Sequence, residues 1–424
     1  MDQIVNLTAF AVLALSGFYV IAVLVENVRT AGAVQRIADA ESSLFREQVE
    51  QIRAARQFDR AKNELSWNGV RKFEVMRKAP ENDQICSFYL KPHDQRPLPP
   101  FEPGQYLTFK LNMPGSRKPT VRCYSLSDSP QTEYFRVSIK RQVPPKDAAK
   151  ANIDKSSSNF FHDHVEEGDI LDVQAPNGDF FLDLTKQTPV VLIGGGIGIT
   201  PVLSMLNTIV ETGSNRETHF FLGVRNGVEH VFKDHLQKIA NENPNVRLHI
   251  CYSKPDEGDQ EGVDYHHVAR VGVDLFKEVL PSNNYEYYFC GPPPMMNSLF
   301  EGLKEWGVPE DHIHFEAFGP ATVQRVKKEP EAAAGAAPAA DISITFTRSE
   351  KTLAWNTDSG SLLDFAEEND IELDFGCRSG SCGSCMTAVM EGEVTYLKQP
   401  NADVEKGSCL TCISVPKGNL RLDA

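Results

Sequence analysis

The sequence predicts a multidomain protein with an N-terminal transmembrane helix, an antiparallel β-barrel, a doubly wound α/β domain and a small α+β domain. An uncharged apolar run near the N-terminus predicts the first part. Short apolar runs broken by Pro and Gly give way to near-continuous apolar strands alternating with helices, which predicts the second and third. An Ala- and Pro-rich stretch of low complexity then marks off the last part.

At 424 residues the chain is long enough for about three domains of ordinary size. The expected boundaries are 1–28 for the transmembrane anchor, 29–66 for a helical stalk, 67–186 for the barrel, 187–326 for the α/β domain, 327–340 for a linker and 341–424 for the last domain.

The composition excludes some classes of function. The formal charge of -15 argues against nucleic acid as a partner and favours acidic surfaces that attract basic proteins. Nine cysteines in so long a chain do not form the dense framework of a small secreted protein. Five of them are scattered, which is typical of a reducing compartment.

The run from Ile4 to Val25 is 22 residues long and carries no charge. At about 1.5 Å per residue it can span a hydrocarbon core of about 30 Å. A cleaved signal peptide is disfavoured because no positive charge precedes the run. Arg29 and Arg36 follow it, so we expect a single pass through the inner (cell) membrane with the remaining domains in the cytoplasm. The helix expected from Ala33 to Leu65 is interpreted as a stalk; a membrane-surface or dimerising helix is the alternative.

The barrel region contains the sequence Arg122-Cys-Tyr124-Ser125. Arg122 and Tyr124 occupy alternate positions of a strand and therefore face the same side. An arginine for a phosphate, beside a tyrosine ring that can stack and hydrogen-bond, suits a flavin. The same alternation occurs in many ordinary strands, so this short motif is weak by itself.

The α/β region begins with an apolar run, Pro189–Ile193, that is typical of a buried parallel strand. It leads directly into the turn Gly194–Pro201 and then an apolar helix expected over Val202–Val210. A strand, a Gly-rich turn and a helix N-terminus in this order can bring backbone amides to a pyrophosphate. Cys290 ends a later strand, before Gly291 and Pro292; a buried structural thiol is the alternative interpretation.

Residues 67–326 resemble the ferredoxin–NADP reductase superfamily, and in detail the reductase part of flavohaemoglobins and of oxygenase reductases. Six motifs in order carry this resemblance: Pro103-Gly104-Gln105-Tyr106, Arg122-x-Tyr124-Ser125, Pro176-x-Gly178-Asp179-Phe180, Gly194–Pro201, Cys290-Gly291-Pro292 and Phe315-Glu316-Ala317-Phe318-Gly319-Pro320. The resemblance implies FAD as the flavin, with FMN as an alternative that some cluster-fused members use.

The resemblance also assigns roles to residues. It implies that Ser125, Cys290 and Glu316 are catalytic. It implies that the flavin and the nicotinamide cofactor contact Tyr106, Arg122, Tyr124, Ser125, Ile139, Lys140, Ser158, Gly195, Gly196, Ile197, Gly198, Ile199, Thr200, Pro201, Cys290, Gly291, Pro292, Phe318 and Gly319.

The charges of the side chains near the 2′ position distinguish a site for NADH from one for NADPH. The 2′-phosphate of NADPH needs Arg or Lys at the ends of the second and third strands. Arg225 and Lys254 lie there, but four acidic residues between 256 and 261 crowd the second of these regions. We therefore expect NADH, with NADPH as the alternative.

The last domain is organised around four cysteines, Cys377, Cys382, Cys385 and Cys412. The spacing C-x4-C-x2-C with a distant fourth thiol is that of plant-type [2Fe–2S] clusters. Zinc is the rival metal, but structural zinc sites usually pair two C-x2-C motifs and this chain has one. Residues 341–424 resemble a plant-type [2Fe–2S] ferredoxin, and the resemblance implies that Cys412, and not Cys409, is the last ligand.

These parts predict a membrane-anchored NADH-dependent flavoprotein reductase. Electrons would pass from NADH through FAD and the [2Fe–2S] cluster to a terminal oxygenase, hydroxylase or desaturase. Residues 341–424 hold 14 acidic and 7 basic residues, so a basic-surfaced acceptor protein is the expected partner. The alternatives are a quinone-reducing component of a respiratory complex and a membrane-tethered redox sensor.

Overall fold

The computed structural model describes residues 2–115, 119–131, 133–142, 156–318, 342–356, 359–380, 382–400 and 402–424, with only part of the side chains up to residue 51. The chain divides into two compact units, residues 1–63 and 64–424. The predicted linker at 327–340 and Gly319 lie outside the described residues.

Helix α1 (Asp2–Leu65) accounts for the first unit. It continues unbroken through the predicted boundary between anchor and stalk, because no proline interrupts it. No helix in the described part of the chain combines the length and apolarity needed to cross a membrane. The span predicted at 4–25 is thus not supported, and its side chains up to residue 14 lie outside those described.

The second unit begins with the predicted antiparallel barrel. Its strands are β1 (Arg71–Pro80), β2 (Ile85–Pro92), β3 (Tyr106–Leu111), β4 (Thr120–Ser125), β5 (Phe135–Lys140) and β6 (Ile170–Asn177). They form one sheet in the order β4-β3-β6-β1-β2-β5. A bridge between Leu126 and Val137 joins its two ends. The short helix α2 (Ser157–His164) places Phe161 against Phe88 and Phe109 in the aromatic core.

The predicted doubly wound α/β domain follows. Its elements are β7 (Val190–Gly195), α3 (Ile199–Glu211), β8 (Thr218–Val224), α4 (Lys233–Glu242), β9 (Val246–Tyr252), α5 (Val273–Val279), β10 (Glu286–Cys290), α6 (Pro293–Glu305) and β11 (Ile313–Glu316). The parallel sheet has the order β11-β10-β7-β8-β9. All six residues of β7 are buried because separate hydrophobic clusters cover the two faces. The chain changes direction across the sheet on either side of β7, where ligands of such domains bind.

The third domain of the second unit is the predicted α+β fold. It contains β12 (Ser343–Phe346), β13 (Lys351–Ala354), α7 (Leu362–Glu368), β14 (Met386–Glu391), β15 (Val394–Tyr396), β16 (Ser408–Leu410), β17 (Ser414–Pro416) and β18 (Leu420–Leu422). Five strands pair in the order β13-β12-β18-β14-β16. Ser361 and Asp364 form a capping box that fixes the start of α7. The cysteine loop lies between α7 and β14.

Candidate active site and cluster loop

A cavity of about 490 Å3 lies in the second unit. All three of its domains contribute to the walls. The lining residues are Tyr106, Arg122, Cys123, Tyr124, Ser125, Ser138, Ile139, Lys140, Gln142, Ser156, Ser157, Ser158, Ile197, Thr200, Glu316, Ala317, Phe318, Phe375, Gly376, Cys377 and Arg378. The structure therefore brings together every barrel residue that was expected to contact the flavin.

Strand β4 supplies the pair that the sequence places on one face. Both Arg122 and Tyr124 line the cavity. The Tyr124 hydroxyl donates to Ser157 Oγ at 3.0 Å, and its ring packs edge-on against Phe161. Burial raises the pKa of Tyr124 to about 12, so the phenol stays neutral and can stack on a flat ligand. Ser157 lies next to Ser158, the serine of this polar segment for which the resemblance implies a cofactor contact.

Two buried polar atoms at this cavity have no hydrogen-bond partner among the described residues: Tyr106 Oη and Glu316 Oε2. Buried polar groups are almost always paired, so both atoms indicate a polar ligand. Gly178 allows the tyrosine to lie there, since a Cβ at that position would come within 2.9 Å of the ring. These atoms, together with the stacking ring of Tyr124, fit a flavin ring system.

Glu316 and Cys290 end neighbouring strands in register, on β11 and β10. Burial, with a smaller contribution from Cys377, raises the pKa of Glu316 to about 8, and Ser125 opposes this shift. Near neutral pH this group can therefore hold a proton beside the cavity. Burial also raises the pKa of Cys290, which is fully buried and is not among the cavity-lining residues described. Phe318 lines the cavity and is 42% exposed.

The Gly-rich turn joins β7 to α3 by close backbone packing. A Cβ on Gly198 would lie 2.2 Å from the carbonyl oxygen of Cys290, and one on Gly291 would lie 3.1 Å from Cα of Gly195. Gly196 adopts a φ of +54°, which glycine tolerates best. The turn thus brings the start of α3 to the end of β10, where a pyrophosphate can meet a helix N-terminus.

The predicted nicotinamide contacts divide between the cavity and this turn. The helix predicted to start at Val202 begins at Ile199 instead, because Pro201 is well tolerated in a first turn. Ile197 and Thr200 line the cavity. The remaining predicted contacts lie on or beside the turn and are not among the described residues that line the cavity: Gly195, Gly196, Gly198, Ile199, Pro201, Gly291 and Pro292.

Carboxylates surround the loop after β8. Asn226 Nδ2 donates to Asp256 Oδ2 at 2.5 Å, and the Gly227 amide donates to Asp259 Oδ2 at 3.3 Å. A 2′-phosphate at these strand ends would face two negative charges. This arrangement fits the NADH expectation.

The four predicted cluster ligands of the last domain lie as two pairs. Sγ of Cys385 and Sγ of Cys412 are 3.1 Å apart. The backbone amide of Cys377 donates to Sγ of Cys382 at 3.2 Å, and the amide of Cys382 donates to Sγ of Cys377 at 3.3 Å. Among the described residues, no three His, Cys, Asp or Glu side chains converge as a site for a single metal ion. Two pairs of thiols fit a cluster in which each of two irons takes two cysteines.

The loop around these cysteines needs glycine. A Cβ on Gly376 would lie 2.8 Å from Sγ of Cys382. Gly380 and Gly383 have φ values of +76° and +72°. Backbone amides turned towards sulfur stabilise negative charge there. Cys409 packs in the separate hydrophobic core of the domain, so the geometry agrees with Cys412 as the fourth ligand.

The cluster loop contacts the barrel. Phe375, Gly376, Cys377 and Arg378 all line the same cavity as Tyr106. These contacts could not be predicted because they join segments some 250 residues apart in the sequence. Cys123, also unexpected, lines the same cavity and raises the pKa of the Cys382 thiol.

Comparisons with known proteins agree with this architecture. Residues 192–300 match the oxidoreductase NAD-binding domain family, and residues 344–417 match the 2Fe-2S iron-sulfur cluster binding domain family. The chain is 41% identical over 285 residues to a flavohemoprotein of Bacillus thuringiensis subsp. konkukian (strain 97-27), which covers 67% of this chain and 68% of the relative.

Two solved structures are similar to this chain. Phthalate dioxygenase reductase is 28% identical with a TM-score of 0.50, and the match covers 84% of this chain and 98% of that one. The FAD/NAD binding domain of nitric oxide dioxygenase from Vibrio cholerae O1 biovar El Tor is 28% identical with a TM-score of 0.52, covering 60% of this chain and 100% of that one.

The site geometry and these matches assign FAD, NADH and a [2Fe–2S] cluster as cofactors of an NADH-dependent flavoprotein oxidoreductase. The chain belongs to the flavohemoprotein family through its FAD- and NAD-binding reductase region, to which a 2Fe-2S iron-sulfur cluster binding domain is joined.

Proposed function

We propose that this chain is a membrane-anchored reductase that delivers electrons from NADH, through FAD and the [2Fe–2S] cluster, to a terminal oxygenase, hydroxylase or desaturase. One observation carries the proposal: cluster-loop residues 375–378 line the same cavity as Tyr106, Arg122 and Glu316. Groups bound on the two sides would lie close enough for direct electron exchange, without a carrier between them.

The cofactors would supply the redox chemistry, since a flavin accepts a hydride from NADH and a [2Fe–2S] cluster carries one electron at a time. The chain's own residues would bind and orient these cofactors. Tyr124 offers a flat, neutral ring, and Arg122 offers a cation at the cavity wall. Glu316, whose side chain is half-buried, holds a proton beside the cavity.

The oxygenase-type acceptor is supported by similarity. The chain matches 98% of phthalate dioxygenase reductase, a protein described as transferring electrons from pyridine nucleotides to [2Fe-2S]. The test is anaerobic stopped-flow mixing of the holoprotein with NADH, followed by addition of oxygenases co-purified from membranes. We expect the flavin to bleach first, the cluster to be reduced next, and the oxygenase to reoxidise the cluster. Reoxidation by quinone alone would favour a quinone reductase, and no flavin bleaching would contradict both.

A docking surface for a basic acceptor is part of this proposal. Glu391, Glu393, Asp403 and Glu405 are exposed on the cluster domain. Opposite charges speed the encounter of two proteins and are screened by salt. Raising the ionic strength should therefore slow electron transfer to the acceptor. Electron transfer from flavin to cluster within the chain is the control and should change little, because it involves no encounter of two proteins. Equal salt effects on both steps would contradict the docking surface.

Membrane attachment at the inner (cell) membrane, with the other domains cytoplasmic, is also a proposal. The uncharged run from Ile4 to Val25 supports it, and its described large apolar side chains are exposed, among them Leu15 at 70% and Phe18 at 74%. The full chain should remain in the membrane fraction after an alkaline carbonate wash. A chain that begins at Asn27 should be released; equal release of both would contradict the anchor.

A further inference from the structure

Two guanidinium groups contact one aromatic ring of the cluster loop at the flavin cavity. Cζ of Arg122 is 4.4 Å from the ring centroid of Phe375, and Cζ of Arg378 is 4.1 Å from it. We propose that Phe375 is a positioning residue that holds the cluster loop against the flavin site and so sets the rate of electron transfer from flavin to cluster. This inference rests on the proposed function.

The two arginines come from different domains, so the ring joins them. Arg378 is neutralised within its own domain, with its Nη1 2.9 Å from Glu367 Oε2 and 3.8 Å from Asp364 Oδ1. Arg122 donates to the carbonyl of Val121 and has no carboxylate partner among the described residues. Two cations brought together in a buried place repel each other. Attraction of each guanidinium group to the electron-rich ring of Phe375 offsets this repulsion.

Phe375 also packs against the hydrophobic interior of its own domain. Its ring packs against the hydrophobic cluster that includes Cys385, Cys412 and Ile413. It lies two residues before Cys377, which lines the cavity itself. A shift of the ring relative to Arg122 would therefore move the cluster ligands relative to the flavin site.

An ionic contact between the same two domains is weaker. Lys398 Nζ is 3.3 Å from Asp179 Oδ2, with side chains 43% and 51% exposed. Exposed pairs of this kind contribute little because water and salt screen them. The half-buried Phe375 is thus the better candidate for fixing the distance between the two cofactor sites.

The experiment uses the full-length holoprotein with Phe375→Leu. Anaerobic stopped-flow mixing with NADH measures flavin bleaching and then cluster reduction, normalised to cluster content determined by EPR. We expect cluster reduction to slow about tenfold or more relative to flavin bleaching in the same variant, since electron transfer depends on the positions of the cofactors. Phe375→Tyr keeps the ring and should keep the rate.

Phe365→Leu is the matched control. It makes the same change in the same domain, but its ring packs against Phe346 and Trp355 in the domain core. The rate per cluster should not change in this variant. Slowing in Phe365→Leu, equal slowing in Phe375→Tyr, or a wild-type rate in Phe375→Leu would overturn the inference.

Loss of the cluster is also informative. If Phe375→Leu holds no cluster, Phe375→Met is compared in its place. Failure of both to bind a cluster that Phe375→Tyr retains would assign the ring to folding of the loop and overturn the positioning role. Failure of the proposed function is distinguishable, because the wild-type cluster itself would then not be reduced by NADH.

Discussion

The α/β domain and the cluster domain build their sites in different ways. The Gly-rich turn of the α/β domain is fixed by backbone packing, with Gly198 against Cys290 and Gly195 against Gly291. The cysteine loop has thiols that contact mainly one another and backbone amides. The first site is shaped by packing within one domain, whereas the second holds two cysteine pairs that a cluster would join. The two domains should therefore fail in different ways when they are changed.

Replacing a cluster ligand should have the largest effect. Cys412→Ser removes one thiol of the pair with Cys385. Cluster content should fall more than about tenfold, since even outer-shell changes cost that much in metal affinity. The cluster domain should also unfold at a lower temperature, because metal binding stabilises the folded form. EPR and calorimetry measure the two effects.

Cys409→Ser is the matched control for this prediction. Cys409 is fully buried in the other hydrophobic core of the domain. The Cys409→Ser substitution should lower the stability of the domain but leave the cluster EPR signal at full intensity. In Cys412→Ser, flavin bleaching by NADH should persist, because the packing of the Gly-rich turn involves only residues of the α/β domain. Loss of bleaching there would contradict the comparison.

The corresponding substitution in the α/β domain is Gly198→Ala, in the Gly-rich turn. The new Cβ would meet backbone atoms of Cys290 and Gly291 at 2.2 to 2.7 Å, so the turn and the strand end must separate. We expect a loss of about 1–3 kcal/mol in the free energy of unfolding and bleaching by NADH slowed more than about tenfold. Cluster content should stay unchanged.

Gly258→Ala in the same domain is the control, since a Cβ there meets nothing within 4 Å. Denaturant unfolding and stopped-flow bleaching should match the unmodified protein in this variant. If Gly198→Ala bleaches at the unmodified rate, the packing of the turn is not what forms the site.

The fold could be predicted well where one pattern decides it. The apolar run of β7 predicts a buried parallel strand because both of its faces are covered. Helix α2 carries no such pattern, since Ser157, Ser158 and Asn159 at its start are typical of a loop. Contact of Phe161 with the barrel core stabilises it, and that contact is tertiary.

The site could be predicted only within single domains. Motif residues such as Tyr106 and Thr200 line the cavity as expected. Phe375 and Cys123 were missed because their significance depends on where the cluster domain meets the barrel. The sequence places these segments in separate domains and carries no local signal that joins them.

The pH dependence should also differ between the two domains. Burial lowers the pKa of His249 from near 6.5 to about 3, and that of His230 to about 4. The unfolded chain binds these protons first, so stability present above pH 6.5 is lost as the pH falls towards 4. Each such group costs at most about 1.4 kcal/mol per pH unit in that range. The sequence contains no histidine after His314, so the cluster domain lacks this effect.

His249→Phe tests this prediction. The new ring keeps the stacking on Phe221, which lies 4.3 Å away, but cannot be protonated. Denaturant titration at several pH values measures the free energy of unfolding of the α/β domain. In His249→Phe this free energy should fall less steeply below pH 6.5 than in the unmodified protein. His93→Gln, at an exposed position of the barrel, should leave the profile unchanged. Parallel profiles for His249→Phe and the unmodified protein would contradict the assignment.

The smallest expected effect concerns the exposed pair between the barrel and the cluster domain. Lys398→Glu would place two negative charges near each other at the position of the Lys398–Asp179 contact, which is 3.3 Å long. Because both side chains are about half exposed, the change should cost no more than about 1 kcal/mol of docking. Electron transfer from flavin to cluster should therefore slow by at most about fivefold. The effect should fade as salt is added, since screening acts on exposed charges.

The reversed pair, Asp179→Lys with Lys398→Glu, should restore the rate at low salt if the contact is electrostatic. A salt-independent loss, or no rescue by the reversed pair, would show that this contact does not help to hold the two domains together. The docking would then depend on the half-buried ring of Phe375 and its neighbours.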